Sequence, residues 1–312
     1  FIPNEGNAWE FTRNYIENYF DKIRAQKEEL MAAYDEEKTV DILKLVGEEK
    51  ERVLFDPFFM EMISLLGRRT AEMHVALASI KSEKDFTEEP FSLLYQKSLY
   101  QSFRTLIKRT ISEMKTSIKK LDEDQKSLLD EIIKNENLLL STIKNTMEKE
   151  KIHTSKIRIH GDYHLGQVLF TGKDFIIIDF EGEPTRSLTA RSLKYCPFKD
   201  VAGMLRSFHY AIYMGQLEYK SKIPEDSEFL DPWLEAWYKK VSDTYMESYL
   251  EAAGEASFIP EKREHLDNLL SVYIIEKAIY EADYELNNRP DWLHIPLNGL
   301  KKILNDLIET RE

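Results

Sequence analysis

The chain has 312 residues and a mass of 36.8 kDa, with a formal net charge of −13, 42% hydrophobic residues and a mean hydropathy of −0.47. That length can bury one large core or two modest ones, and the acidic balance argues against nonspecific DNA or RNA binding, which rests on cationic phosphate contacts. No stretch approaches the ~18 consecutive apolar residues of a membrane span, and the lone Cys196 excludes an intrachain disulfide, so a cytoplasmic protein is expected.

Eleven glycines and ten prolines are few for this length and favour long helices. Asn7 is placed to cap a first helix in which Trp9, Phe11, Tyr15, Tyr19, Phe20 and Ile23 recur at three- and four-residue steps. Met62, Leu65, Leu66, Met73, Leu77 and Ile80 mark a second amphipathic segment, followed by the charged connector KSEKDFTEEP (Lys81–Pro90). Two long helices are predicted over Phe91–Leu121 and Ser127–Met147, forming an antiparallel hairpin with LDEDQ as its turn. The charged runs read as solvated surface.

Only Lys156–Phe180 departs from the helical habit. Ile157–Ile159, Val168–Phe170 and Phe175–Ile178 read as short strands, with Thr171–Asp174 as hairpin chemistry between the last two. Helices resume at roughly 199–217, 231–253, 261–287 and 297–310, punctuated by Pro232, Pro260, Pro290 and Pro296.

The stretch RIHGDYHLGQVLFTGKDFIIIDFEGEP (Arg158–Pro184) carries the chemistry. Asp162 follows a strand where a carboxylate can accept a hydroxyl proton, or simply cap a turn. Asp179 closes an apolar strand, where an ionised group needs a partner such as magnesium, unless it only caps the strand end. Gln167 offers an amide oxygen, and Glu181 can serve the same cation or a structural role. Together they make a minimal phosphoryl-transfer set. His160 and His164 flank Asp162 and leave open a zinc hydrolase, although no third nitrogen or sulfur ligand stands at a sensible spacing. Asp200, in the first turn of a helix, suits the helix dipole. Arg206 can either enter a cleft or extend outward. Glu276, Lys277, Tyr280, Tyr284, Arg289 and Trp292 combine aromatic faces with planar polar groups suited to a sugar, and read equally as helix core and surface; Glu276, Tyr280 and Tyr284 share one helical face.

The pattern resembles H-G-D-x-H-x-x-N…I-D-x-E of the small-molecule kinases with a protein-kinase-like, aminoglycoside phosphotransferase-like fold. HGDYHLGQVLFT, IIIDFEGEP and KDVAGMLRSFHYA, with LLGRRTAEMHVALAS (Leu65–Ser79) and NRPDWLHIPL (Asn288–Leu297), are similar to the maltokinases, which occur alone or fused to trehalose synthase. The resemblance implies an α+β, predominantly helical C-terminal lobe with a small β-ribbon at about 156–180. It implies Asp162 as catalytic base, Gln167, Asp179 and Glu181 as Mg2+ ligands, and His160 and Asp200 as braces of the site. Arg206, Glu276, Tyr280, Tyr284, Arg289 and Trp292 become the substrate-side candidates. Gln167 stands where the broad pattern has asparagine, and points to the maltokinase branch. The implied reaction takes maltose and ATP to maltose 1-phosphate and ADP. Other readings are a kinase of another small alcohol or a noncatalytic module of a fusion.

No glycine-rich loop, no lysine-bearing strand and no five-stranded pattern precede residue 156. The expected layout is therefore a single C-terminal lobe without its nucleotide-clamping partner. It runs from post-hinge helices (1–80) through a helical hairpin (81–155) and the catalytic and metal loops (156–184) to a substrate-side helical part (185–312). Such a fragment is expected to transfer little or no phosphate by itself.

Overall fold

A computed structural model of the chain describes residues 2–28, 30, 51–223 and 227–309. Residues 31–50 of the expected post-hinge helices, and Thr310 of the expected last helix, lie outside the described residues. In chain order the elements are α1 (Ala8–Ala25), α2 (Pro57–Ser79), β1 (Glu89–Pro90), α3 (Leu93–Ser117), α4 (Glu123–Lys134) and α5 (Glu136–Glu148). There follow β2 (Ser155–Lys156), a 3-10 turn (Leu165–Gln167), β3 (Val168–Phe170), β4 (Phe175–Ile177), α6 (Leu188–Arg191) and α7 (Phe198–Lys222). The last are α8 (Ser227–Ala253), α9 (Arg263–Asn288), a 3-10 turn (Pro290–Trp292) and α10 (His294–Glu309), and another 3-10 turn (Ile118–Lys120) follows α3. The chain forms two compact units.

The first unit takes the residues up to Ala76, His160–Arg186 and Ser207–Gly254. Asn7 caps α1, its side chain accepting the Glu10 N–H at 2.9 Å. Of the predicted positions Phe11, Tyr19, Phe20 and Ile23 are buried, joined by Ile16, while Trp9 and Tyr15 are half-buried. Phe11 lies 4.3 Å, ring to ring, from Phe170 of β3, so the first helix is held to the ribbon by an aromatic contact. β3 and β4 pair antiparallel in the register Val168–Ile177, Leu169–Ile176, Phe170–Phe175. The Thr171 N–H donates to the Asp174 carbonyl at 2.9 Å and closes the turn. On its other side β3 meets residues 5–7: the Glu5 N–H donates to Phe170 O, the Phe170 N–H to Gly6 O, and Asn7 bridges Leu169.

Within this unit Gly67 of α2 faces the backbone of α8. A Cβ there would overlap the Tyr245 carbonyl oxygen and come 3.1 Å from the Tyr249 nitrogen. Trp233, Trp237, Tyr245 and Tyr249 of α8 are buried. Pro232 stands inside α8 rather than at its start. It is the sixth residue of that helix, past the four N–H groups that lack an intrahelical partner, so it removes one i→i−4 bond from the second turn.

The second unit takes Leu77–Ile159, Ser187–Arg206 and the residues from Glu255 onward. α9 packs on α3, α5 and α10, and α4 packs on α10. The predicted second arm of the hairpin is two helices, α4 and α5, broken at Asn135 (φ −103°, ψ 12°). The LDEDQ segment is more than a turn, because Asp122 and Gln125 form a reciprocal capping box that starts α4. The buried Gln96 finishes α5. Its Nε2 donates to the Met147 and Glu150 carbonyls at 3.1 and 3.0 Å, and its Oε1 accepts the Ile152 N–H at 3.0 Å. One amide thereby satisfies the Met147 carbonyl that the helix end leaves orphaned and two backbone groups just beyond it.

The expected strand Ile157–Ile159 is reduced to a bridge between Ile157 and Tyr195. The residues just before it, Ser155–Lys156, pair instead with Glu89–Pro90, at the end of the expected connector. Arg206 does not extend outward. It is 2% exposed, its guanidinium donates to Glu281 at 2.8 Å, and it lies on the face of Gly299, where a Cβ would overlap it.

Cys196 is buried, and desolvation pushes its thiol up to about 12. At pH 8 its thiolate fraction is then on the order of 10⁻⁴, so a disulfide reagent is expected to react roughly a thousandfold more slowly with folded than with urea-unfolded chain. Equal rates in the two states would contradict this burial.

Candidate active site

The strand-end geometry of the first unit brings two of the predicted metal ligands together. The Ile178 N–H donates to the Gln167 carbonyl at 3.0 Å and prolongs the ladder one step beyond β3 and β4. Gln167 and Asp179 therefore emerge side by side, and the Gln167 Nε2 donates to Asp179 Oδ2 at 3.0 Å. Asp179 has φ +65°, the left-handed region that non-glycine residues seldom occupy. Strain of that kind is of order 1–3 kcal/mol and collects at sites where a side chain must be aimed. Here it turns the chain sharply out of the ribbon while Asp179 stays exposed.

The loop bearing Asp162 adjoins this turn. Gly161 (φ +88°) and Gly182 (φ +73°) meet backbone to backbone, and a Cβ on Gly161 would lie 3.3 Å from the Gly182 Cα. Side chains at these positions would separate the two loops and strain both. His160 is the bolt. Its Nε2–H donates to the Ile178 carbonyl at 2.8 Å, which leaves Nδ1 to accept the Asp162 N–H at 3.3 Å. The carbonyl partner thus sets the tautomer, and both ring nitrogens serve the loop. His164 Nδ1 accepts the Gly166 N–H at 3.1 Å as the cap of the 3-10 turn. Among the described residues no group of three or more His, Cys, Asp or Glu is placed to hold a metal ion, and that covers Asp162, Asp179 and Glu181 as well as His160, Asp162, His164 and Asp179. Glu181 is exposed two residues beyond Asp179.

Three tethers that the sequence reading missed fix these loops within the unit. Thr70 of α2 is fully buried, and its single hydroxyl proton goes to the Leu66 carbonyl at 2.8 Å. Its oxygen must then accept from the Tyr163 hydroxyl at 2.8 Å and the Tyr245 hydroxyl at 3.1 Å. Ser207 Oγ accepts the Leu165 N–H at 3.1 Å. Arg69 forks onto Asp174 in the ribbon turn, with Nε to Oδ1 and Nη2 to Oδ2 both at 2.8 Å. The guanidinium holds the Asp174 carboxyl below its ordinary range, and the pairing raises Arg69 in turn. Arg69 and Thr70 lie in the LLGRRTAEMHVALAS segment that the resemblance already singled out, so the signal was present without its meaning.

The remaining candidates belong to the second unit. Asp200 is buried in the first turn of α7. Glu276 of α9 is buried beside Lys199, whose Nζ approaches its carboxylate oxygens at 3.4 and 3.5 Å. The Lys277 ammonium lies 5.1 Å over the Tyr280 ring. Arg289 stacks at 4.3 Å on Trp292 and 5.4 Å on Tyr284, and forks onto Glu285 at 2.9 and 2.7 Å. Glu285 is buried to 2% exposure and was not among the predicted residues, although its i,i+4 spacing to Arg289 was legible. Tyr284 is 41% exposed. An aromatic pair flanking a fixed guanidinium is a surface suited to a polar ring bearing hydroxyls.

These loops and helices belong to a kinase-like fold. Among solved structures, a glucosamine kinase in complex with glucosamine, ADP and inorganic phosphate superposes with a TM-score of 0.69 at 17% identity, over 97% of this chain and 59% of that one. Crystal form A of glucosamine kinase gives 0.69 at 18% identity, over 100% and 62%. In sequence the chain is 23% identical over 156 residues to a glucosamine kinase of Streptacidiphilus jiangxiensis, covering 50% of this chain and 33% of that protein. It is 27% identical over 150 residues to a glucosamine kinase of Mycolicibacterium smegmatis, covering 47% and 34%. These matches span about a third of the length of those two relatives. No protein-family model matches the chain. Maltokinase, expected from the motifs, is not among these relatives; what they share with the expectation is the kinase-like class. No helix among the described residues is long and apolar enough to cross a membrane.

Proposed function

We propose that this chain is the base- and metal-bearing lobe of an ATP-dependent sugar kinase, with the clamp on the nucleotide supplied by polypeptide outside these residues. The observation that supports it most directly is the Gln167–Asp179 pair at 3.0 Å, set at the end of a ribbon beside the Asp162 loop. Oxygen donors of this kind suit Mg2+, which takes one or two protein groups and fills its shell with water and phosphate. The bond from Gln167 to Asp179 uses Nε2 and Oδ2, so the amide Oε1 and carboxylate Oδ1 are the donors that would hold the ion, with Glu181 in support. Bound there, Mg2+ would neutralise charge on the transferring phosphoryl group.

Asp162 would accept the proton of the attacking sugar hydroxyl. Its backbone N–H is held by His160, so that ring keeps the loop in register while the carboxylate works. Phosphoryl transfer leaves little covalent work for protein groups, and such positioning is most of what the residues contribute. Asp200, buried in the first turn of α7, is the remaining candidate for structural support. For the sugar, Glu276, Tyr280, Tyr284, Arg289 and Trp292 offer the appropriate chemistry on α9 and the turn after it.

The motifs favour maltose as acceptor, giving maltose 1-phosphate, with fusion to a trehalose synthase as one context. The glucosamine kinase relatives favour glucosamine as a second reading, and a solved relative's complex with ADP supports ATP as donor. The test is a panel of maltose, glucosamine, glucose, choline and an aminoglycoside with ADP release as readout. It is run on the chain alone and on the full polypeptide that contains it. We expect turnover with one sugar only in the longer protein. Turnover by the chain alone at the same rate would remove the need for an outside clamp, and ADP release with no acceptor in any preparation would end the kinase reading.

A further inference from the structure

The segment Gly67-Arg68-Arg69-Thr70 of α2 makes contacts that the reading above leaves unused. Thr70 and Arg69 are consecutive, yet they hold two different loops of the first unit. Thr70 takes the Tyr163 hydroxyl, and Tyr163 is the residue immediately after Asp162. Arg69 forks onto Asp174, in the turn of the ribbon that ends in Gln167 and Asp179. Both are anchored rather than opportunistic. Thr70 is fully buried and also receives the Tyr245 hydroxyl of α8. Asp174 is fixed in turn by the Thr171 side chain, whose Oγ1 accepts the Asp174 N–H at 3.1 Å. Gly67, one turn before, lets α2 approach the α8 backbone closely enough for the Tyr245 contact to form.

We infer that Arg69 and Thr70 are positioning residues: one helical step of α2 sets the Asp162 loop through Tyr163 and the Gln167–Asp179 ribbon through Asp174. Neither touches reactants. Their effect is to fix the base relative to the metal ligands, because both loops are referenced to adjacent residues of one rigid helix. The inference rests on the kinase reading for its functional meaning, while its structural content is separable from it.

Hydrogen exchange on the chain, resolved by peptide, separates the two tethers. Thr70→Val keeps the shape but removes the acceptor, and is expected to speed exchange across residues 160–167 at least tenfold, with 171–177 unchanged. Thr70→Ser restores the hydroxyl and is expected to return protection to near the parent value. Arg69→Lys, which keeps the charge and loses the fork, is expected to act on 171–177 and leave 160–167 alone. Uniform loss of protection over all peptides, or no change in the named ones, overturns the inference. So does failure of Thr70→Ser to rescue. Turnover of the full polypeptide is a separate readout. Where it is active, Thr70→Val is expected to lower kcat at least tenfold with sugar KM unchanged. A full polypeptide with no sugar-dependent transfer would end the kinase reading and leave the exchange result standing on its own.

Discussion

Asp162→Asn is expected to cut kcat of the full sugar-phosphorylating polypeptide by about 10²–10⁴, the range a positioned general base contributes, with sugar KM unchanged. The exchange of one carboxylate oxygen for an amide keeps shape, and the bond that ties this residue to His160 comes from the Asp162 backbone N–H rather than its side chain. The loop should therefore hold its form while losing the group that accepts the proton. Steady-state kinetics beside a thermal melt check this. Equal losses in sugar affinity and melting temperature would assign Asp162 to folding and remove the base from the mechanism.

Gly67→Ala is expected to destabilise the protein by about 3 kcal/mol, at the upper end of the usual cost of overpacking a core. Two effects of opposite sign compete. Alanine is a better helix residue than glycine by about 1 kcal/mol, which on an open face would raise stability. At Gly67 the added methyl would overlap the Tyr245 carbonyl of α8, a backbone atom that cannot rotate away. The clash wins, because relieving it means moving one helix off another and opening the hydroxyl cluster of Thr70, Tyr163 and Tyr245. Urea unfolding followed by tryptophan fluorescence measures it, since Trp233 and Trp237 lie buried on α8. A variant as stable as the parent would show that α2 and α8 do not approach in this way.

Much of the helical architecture was legible because dense three- and four-residue spacing leaves little choice of period. Asn7 was readable as a cap for the same local reason, and the structure places it there. The break at Asn135 was not readable, since apolar spacing continues straight through it from Ile132 and Ile133 to Leu139. The pairing of Glu89–Pro90 with Ser155–Lys156 joins two-residue strands far apart in the chain, and nothing local announces it. At the site, Gln167 and Asp179 were named together through the motif resemblance, and the hairpin read at Thr171–Asp174 is what sets them side by side. Thr70 and Tyr163 are 93 residues apart, and the hydroxyl bond between them is a product of packing. Arg206 shows the same limit. Its spacing allowed two orientations, and burial against Gly299 with Glu281 as counter-charge excludes the outward one.

The backbone bonds from residues 5–7 to β3 also bear on solubility. A three-residue strand with Val168 and Phe170 buried has one side occupied by β4, and the segment before α1 seals the other. Were that segment peeled away, the Phe170 N–H and carbonyl would be left unsatisfied beside large apolar rings and offered to any passing strand, a seed of self-association. The opening residues thus act as a stopper against aggregation as well as a lead-in to the first helix.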